Sequence, residues 1–196
     1  MLLRHAVGSL QPIEHTMNSQ RLTLMDQEAV EHALARMARE VVERSGGTEG
    51  LVLLGIQRRG VELAQRIQTA IEGEAGIRIP SGSLDITMYR DDLAAVGPRP
   101  VVGESALPME GIDDRTVVVV DDVLFTGRTA RAAMNELMDW GRPARIVLCV
   151  LVDRGGRELP IHPDITGREV EVLPGQRVDV LVPEVDGRLA VELASI

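Results

Sequence analysis

Val117-Val118-Val119-Val120-Asp121-Asp122-Val123-Leu124-Phe125-Thr126-Gly127-Arg128-Thr129 reads as a buried strand that runs into two adjacent carboxylates, then a hydroxyl-bearing turn, then a helix. Four successive valines suit a strand covered on both faces, since branched side chains pack well on a pleated surface. Consecutive side chains of an extended chain point to opposite sides. Asp121 and Asp122 can therefore both reach one ligand only if the strand is ending there. Carboxylates accept from paired hydroxyls, as acidic residues do with a ribose, and they attract magnesium, often through water. Thr126-Gly127-Arg128-Thr129 adds two hydroxyls, a residue without a side chain and the free N–H groups of a helix start, which together favour an anion. Diol acceptors beside a phosphate cradle point to a ribose 5-phosphate. The stretch is not a Walker A loop, which ends in Gly-Lys-Ser/Thr. Nor is it a dinucleotide fingerprint, because the carboxylates precede the turn and only one glycine is present. An isolated Asp-Asp would be read as a strand end and Thr126-Gly127 as a helix cap. The full series of apolar run, Asp-Asp, three residues, Thr-Gly and helix favours a ligand site.

The flanking sequence supplies a scaffold. Asp26 can cap a helix, and the pairs Ala29/Val30, Ala33/Leu34, Met37/Ala38 and Val41/Val42 recur every four residues, the mark of an amphipathic helix closed by Gly46-Gly47. Leu51 to Ile56 is an apolar strand that turns through Gln57-Arg58-Arg59-Gly60 into a helix from Val61 to about Ile71. Leu84, Ile86 and Met88 alternate with polar residues and read as a half-buried strand. Tyr89 to Pro108, with prolines at 98, 100 and 108, reads as a long excursion. Thr129 to Trp140 is a helix, Arg145 to Val152 a strand, and Asp153 to Glu158 a charged turn. Val178 to Val182 and Leu189 to Leu193 form a terminal hairpin through Asp186-Gly187. Met1 to Arg21 has no period and reads as a disordered extension, which leaves residues 22–196 as one domain. Apolar strands alternating with helices give an α/β fold with a parallel sheet covered on both faces. Ligands bind outside the carboxyl ends of such strands. The turns after residues 56, 120 and 152 meet in one crevice if their strands are neighbours.

Composition narrows the class. The 196 residues are 44% hydrophobic and 26% charged, enough for a globular core. No apolar run approaches the ~20 residues that span a bilayer, and no secretory signal opens the chain, so a cytoplasmic protein without a membrane partner is expected. Cys149, the one cysteine, lies in an apolar run and reads as core. The net charge of −9 argues against a generic nucleic-acid binder but leaves room for a local basic patch. All 21 basic residues are arginine, the better fork for phosphate and carboxylate oxygens.

The Val117 to Thr129 stretch resembles the phosphoribosyl pyrophosphate (PRPP) signature of the type I phosphoribosyltransferases. Within them the chain is similar to the PyrR family, which combines a pyrimidine-operon regulator with a uracil phosphoribosyltransferase. The residues that carry this are Gly55 to Gly60, Leu84-Asp85-Ile86-Thr87-Met88-Tyr89-Arg90-Asp91-Asp92-Leu93, the signature through Met134, Gly141-Arg142-Pro143, and Leu151-Val152-Asp153-Arg154-Gly155 with Arg157 to Ile161. The resemblance implies the type I phosphoribosyltransferase fold: a central, mostly parallel sheet flanked by helices, a small hood and a flexible loop at Tyr89 to Pro108. It implies that uracil and PRPP yield uridine monophosphate (UMP) and pyrophosphate, with Mg2+ as cofactor. It implies that Asp121 and Asp122 hold the ribose and, through water or substrate, the metal. Val123, Leu124, Phe125, Thr126, Gly127, Arg128 and Thr129 would hold the 5-phosphate. Arg58, Arg59, Gly60 and Arg90 would meet pyrophosphate, and Asp153 and Arg154 would shape the uracil pocket. It further implies a homo-oligomer that senses UMP or UTP and binds leader mRNA, with Arg36, Arg39, Arg154 and Arg157 as candidate RNA contacts. There the chain departs from the pattern Thr-Arg-Ile-Ala-His-Glu, having Ala35 and Arg39, and from Asp-Arg-Gly-His-Arg, having Gly156. Two other readings stay open: a regulator with little catalytic activity, and a phosphoribosyltransferase for another base without an RNA role.

Overall fold

The computed structural model describes residues 21–89 and 103–196. Asp26 accepts the Ala29 N–H at 2.9 Å and starts helix α1 (Gln27–Ser45), whose stripe of Val30, Ala33, Leu34, Met37, Ala38 and Val41 is buried. Gly46, left-handed at φ 72°, closes the helix. Replacing Asp26 by alanine is expected to cost about 1 kcal/mol, to be read as a lower denaturation midpoint with an unchanged slope.

Strand β2 (Leu51–Ile56) leads into α2 (Arg59–Ala75), and β3 (Ser81–Leu84) follows. Strand β4 (Thr116–Leu124) leads into α3 (Arg128–Trp140), then come β5 (Arg145–Asp153) and β6 (Ile165–Glu169). The five strands form a parallel sheet in the order β3-β2-β4-β5-β6. Strands β2, β4 and β5 are therefore neighbours, as the convergence of their turns requires. Helices α1 and α2 cover one face, burying Leu51, Leu53, Val118, Val120, Val147 and Cys149. Helix α3 covers the other, over Val52, Leu54, Val117, Val119, Leu148 and Val150. Burial pushes the Cys149 thiol up, so the residue is inert core. A second, antiparallel sheet in the order β1-β8-β7 is built from β1 (Arg21–Met25), β7 (Gln176–Leu181) and β8 (Ala190–Ser195). The short α4 (Pro183–Asp186) and left-handed Gly187 join β7 to β8 as the expected hairpin.

Three expectations change. The alternation of Leu84, Ile86 and Met88 is not one strand: β3 stops at Leu84, and Ile86–Tyr89 is a 3-10 turn with Ile86 buried and Met88 exposed. Its start is set by Asp85, whose Oδ1 accepts from both the N–H and the hydroxyl of Thr87. Strands β1 and β6 were not expected; both lie at sheet edges. Arg21, placed in the extension, begins β1, pairs with Ala194 and meets Glu192 at 3.1 Å. Residues 1–20, Arg90 and the rest of the 90–102 segment lie outside the described residues.

Candidate active site

Asp121 and Asp122 share a site because β4 ends toward one neighbour and continues toward the other. Toward β2 the pairing stops at Gly55↔Val120, since β2 turns away after Ile56. Toward β5 it runs on through Asp121↔Val150 to Leu124↔Asp153. The two aspartates thus stand beyond the end of β2 while still held by β5. Each carboxylate accepts the next backbone N–H, Asp122 N–H to Asp121 Oδ1 at 3.0 Å and Val123 N–H to Asp122 Oδ1 at 2.8 Å.

The turn from β2 to α2 closes the other side. A Cβ on Gly55 would collide with the Val61 Cα, and one on Gly60 would sit 2.5 Å from the Val120 carbonyl oxygen. Gly55 lets the first turn of α2 lie directly on β2, and Gly60 lets it lie on β4 beside Asp121. The Gln57–Arg58 peptide is cis. The result is a cavity of about 270 Å³ lined by Gln57, Arg58, Arg59, Asp85, Thr87, Asp121, Asp122, Val123 and Thr129.

Its electrostatics are unbalanced. Asp121 is only 7% exposed. Burial first, and then the neighbouring Asp122 charge, hold its carboxyl well above the ordinary carboxylate range. Burial raises Asp122 too, opposed by the Val123 N–H and by the Arg59 guanidinium. A buried carboxylate beside a part-buried one favours ligands that bring hydroxyl donors or positive charge. Arg59 itself is forked onto Asp186, at 3.1 Å through Nε and 2.9 Å through Nη2, and this bond raises the arginine and lowers the aspartate.

Thr129 takes part in the cavity at the start of α3, and the turn before it is braced from behind. The Thr126 carbonyl accepts from the N–H groups of Glu158 and Leu159, and Arg128 pairs with Glu158 at 2.7 Å. Gly127 is left-handed at φ 91°, a conformation that suits glycine. Leu124 is buried in the core under α3, whereas Phe125 is exposed and carries the Arg154 guanidinium 4.2 Å over its ring.

The other candidates fall elsewhere. Asp153 and Arg154 line a separate opening with Gly155, Gly156, Glu169 and Glu171. Burial raises Asp153, but hydrogen bonds from Arg157 and the Gly155 N–H outweigh it and leave the carboxyl lowered. Arg157 is a strut, bonded to Asp153 at 2.5 Å and to the carbonyls of Phe125 and Ile161 at 2.9 Å. Gly156 has φ 72°, and a Cβ there would run into the Phe125 ring, which accounts for glycine at this position. Arg36 donates to the carbonyls of Thr166 and Gly167, Arg39 pairs with Glu74, and both line a groove on α1 with Glu40, Glu43 and Arg44. A further cavity of about 380 Å³ lies between the 3-10 turn and the end of α3, lined by Asp85, Met88, Tyr89, Glu136, Asp139 and Trp140 among others. Asp85 is a wall of both this cavity and the one at Asp121.

Gln57, Asp85 and Thr87 were not singled out as site residues from the sequence. The Asp-x-Thr spacing at residues 85–87 is a turn signal that could have found two of them.

Residues 20–182 match the family model described as a phosphoribosyl transferase domain. The chain is 52% identical over 163 residues to the bifunctional protein PyrR of Herpetosiphon aurantiacus, covering 83% of this chain and 90% of that one. It is 52% identical over 170 residues to the bifunctional protein PyrR of Thermus aquaticus, covering 87% and 93%. Among solved structures, a hypoxanthine phosphoribosyl transferase of Trypanosoma cruzi superposes with a TM-score of 0.68 at 17% identity, over 94% of this chain and 95% of that one. At that identity the likeness is one of fold. The parallel sheet, the aspartate pair at the end of β4 and these matches together place the chain in the PyrR family of the type I phosphoribosyltransferase superfamily.

Proposed function

We propose that the protein transfers the ribosyl phosphate of PRPP to uracil, giving UMP and pyrophosphate, and that it also binds pyrimidine-operon leader mRNA in response to UMP or UTP. The observation that carries the enzymatic part is the single cavity shared by the buried Asp121, the part-buried Asp122, the Arg58-Arg59 turn and the start of α3. In this reading Asp121 and Asp122 accept from the ribose hydroxyls and stabilise the positive charge that develops at the anomeric carbon as pyrophosphate leaves. Asp122, whose ionised form Arg59 favours, is the better placed of the two to take a proton. The N–H and hydroxyl groups from Val123 to Thr129 hold the 5-phosphate at the positive end of the α3 dipole. Arg58, Arg59 and Gly60 face the pyrophosphate, and Arg90 is assigned to the same group. Asp153 and Arg154, which line the separate opening beyond Phe125, are assigned to the uracil side.

Among the described residues no group of three or more His, Cys, Asp or Glu is arranged to hold a metal ion. The cavity instead offers oxygen donors, the carboxylates of Asp121 and Asp122, which suits a hard cation that keeps most of its shell on water and substrate oxygens. When bound, magnesium would neutralise charge on the pyrophosphate and sugar oxygens.

The RNA part rests on kinship with relatives named as bifunctional. The candidate arginines divide into two kinds. Arg36 and Arg39 keep 49% and 59% of their side-chain surface exposed on α1, whereas Arg157, at 15%, braces the turn after β5. Phosphate contacts are therefore assigned to Arg36 and Arg39 first. No helix among the described residues is long and apolar enough to cross a membrane; a cytoplasmic homo-oligomer is proposed.

The deciding assay measures UMP formed from uracil and PRPP with magnesium, beside hypoxanthine and orotate as competing acceptors. Turnover of hypoxanthine or orotate but not uracil would overturn the substrate. Nucleotide binding without turnover would favour the pure regulator. Leader-RNA binding that strengthens with UMP and weakens with salt supports the second activity, because phosphate contacts release counterions.

A further inference from the structure

Arg59 is the protein cation that opposes the raised carboxyl of Asp122, and it does not find its position unaided. It begins α2, and its side-chain hydrogen bonds go to one residue distant in sequence. Its partner comes from 127 residues away, at the end of α4 in the connection between β7 and β8. The contact is a two-point fork: Asp186 Oδ2 accepts from Nε at 3.1 Å and Oδ1 from Nη2 at 2.9 Å. Asp186 is itself fixed, since its Oδ2 also accepts the Val182 N–H at 3.0 Å and its backbone closes the turn of α4. Its side chain is 17% exposed, against 37% for Arg59. A planar guanidinium held along its Nε–Nη2 edge cannot rotate freely, and its Nη1 remains for a ligand in the cavity that Arg59 lines. A second pair, Arg66 with Glu184 at 2.8 Å, joins the same two helices without touching the cavity.

We infer that Asp186 is a positioning residue for the pyrophosphate half of the substrate: it clamps the Arg59 guanidinium in the place where an anion will meet it. The inference rests on the proposed PRPP reading of the cavity. Its physical content is preorganisation. An arginine already ordered when the anion arrives does not lose its rotamer freedom at that moment, and ordering such a side chain on binding weakens affinity by a factor of about 3 to 10. The opposite reading of the same contact is a latch, in which Asp186 competes with pyrophosphate for Arg59 and its removal tightens binding.

Asp186→Asn separates these. The amide keeps an oxygen for the Val182 N–H, so the turn survives, but the charge and half of the fork are lost. Calorimetric titration of the full chain with magnesium pyrophosphate and with PRPP, beside uracil kinetics, is the measurement. Pyrophosphate and PRPP should bind about 3- to 10-fold more weakly, and KM for PRPP should rise in step. KM for uracil and kcat should stay near wild type, and the melting temperature should fall by no more than about 2–4 °C, the loss expected for one part-exposed ion pair. Asp186→Glu, which keeps the charge, should recover part of the loss. Glu184→Gln, which breaks the neighbouring pair, should change none of these constants. Unchanged or tighter pyrophosphate binding in Asp186→Asn overturns the inference, as does an equal loss in Glu184→Gln, which would mean that any tie between α2 and α4 serves. A wild-type protein that binds neither pyrophosphate nor PRPP overturns the reading of the cavity and this inference with it. A wild type that binds both, with Asp186→Asn indistinguishable from it, overturns the inference alone.

Discussion

Asp121→Asn is expected to lower UMP formation by about 10²- to 10³-fold while raising the melting temperature at neutral pH. Both effects come from the same burial. The carboxyl of Asp121 is held well above its ordinary range, first by desolvation and then by Asp122. A carboxyl raised in the folded state binds its proton more tightly there than in the unfolded chain. Its contribution to stability is therefore full at low pH and lost as the pH rises through the folded value. Above the unfolded value the raised carboxyl opposes folding relative to the open chain, and the asparagine does not. Asparagine keeps an oxygen for the Asp122 N–H, and its new amide N–H can donate to the adjoining Asp122 carboxylate. A gain of about 2–4 °C corresponds to roughly 1 kcal/mol for a chain of this size. The advantage should shrink as the medium is acidified toward about pH 4, where the unfolded carboxylate also takes up its proton. Thermal melts across pH, set beside turnover, test the account. A variant less stable than wild type at neutral pH, or one with near-normal turnover, would contradict it. Asp122→Asn should behave alike but gain less stability, since Arg59 already offsets part of the Asp122 charge.

Gly60→Ala should damage both stability and substrate binding through a single methyl group. The new Cβ would lie 2.5 Å from the Val120 carbonyl oxygen and 3.4 Å from the Asp121 Cα. Those atoms belong to the central strand, which cannot give way as a side-chain tip can. The first turn of α2 must lift instead, and it carries Arg58 and Arg59 away from the aspartates. Overpacking of this kind costs roughly 1–3 kcal/mol, or about 3–10 °C in melting temperature. The accompanying fall in kcat/KM for PRPP should reach about 10- to 100-fold, the usual consequence of misplacing reacting groups by an ångström. Gly73→Ala is the matched control. It lies in the same helix with nothing within 4 Å of its Cβ position, and there alanine should stabilise by about 0.5–1 kcal/mol. Equal melting temperatures for Gly60→Ala and wild type would show that β4 and α2 do not bear on each other as described.

What could be read from the sequence was what local chemistry determines. The four-residue recurrence from Ala29 to Val42 gave α1, and Asp26 gave its cap, because both signals lie within one helix. The valine run and Asp121-Asp122 gave the central strand and the heart of the site. The segment from Leu84 to Met88 misled, because alternation over five residues fits a strand and a tight turn equally well until the Asp85–Thr87 bonds decide. Strands β1 and β6 escaped notice because edge strands carry little apolar pattern: Arg21 to Thr23 are exposed, and β6 buries only Ile165. Arg59 was legible as an anion-binding candidate, but its partner Asp186 was not. Their meeting depends on how the β7–α4–β8 connection packs on the parallel sheet, and no local pattern encodes it.

The wall shared at Asp85 also gives the protein an optical handle. Trp140 is the only tryptophan, and it stands half-exposed in the cavity on the far side of that wall, near the Tyr89 hydroxyl's bond to Asp139. An indole so placed emits from a mixed polar environment, and its spectrum moves when the surrounding carboxylates and solvent rearrange. A shift of that emission on adding PRPP, absent in Trp140→Phe, is the expected sign that filling the Asp121 cavity moves the Asp85 wall it shares with the Trp140 cavity.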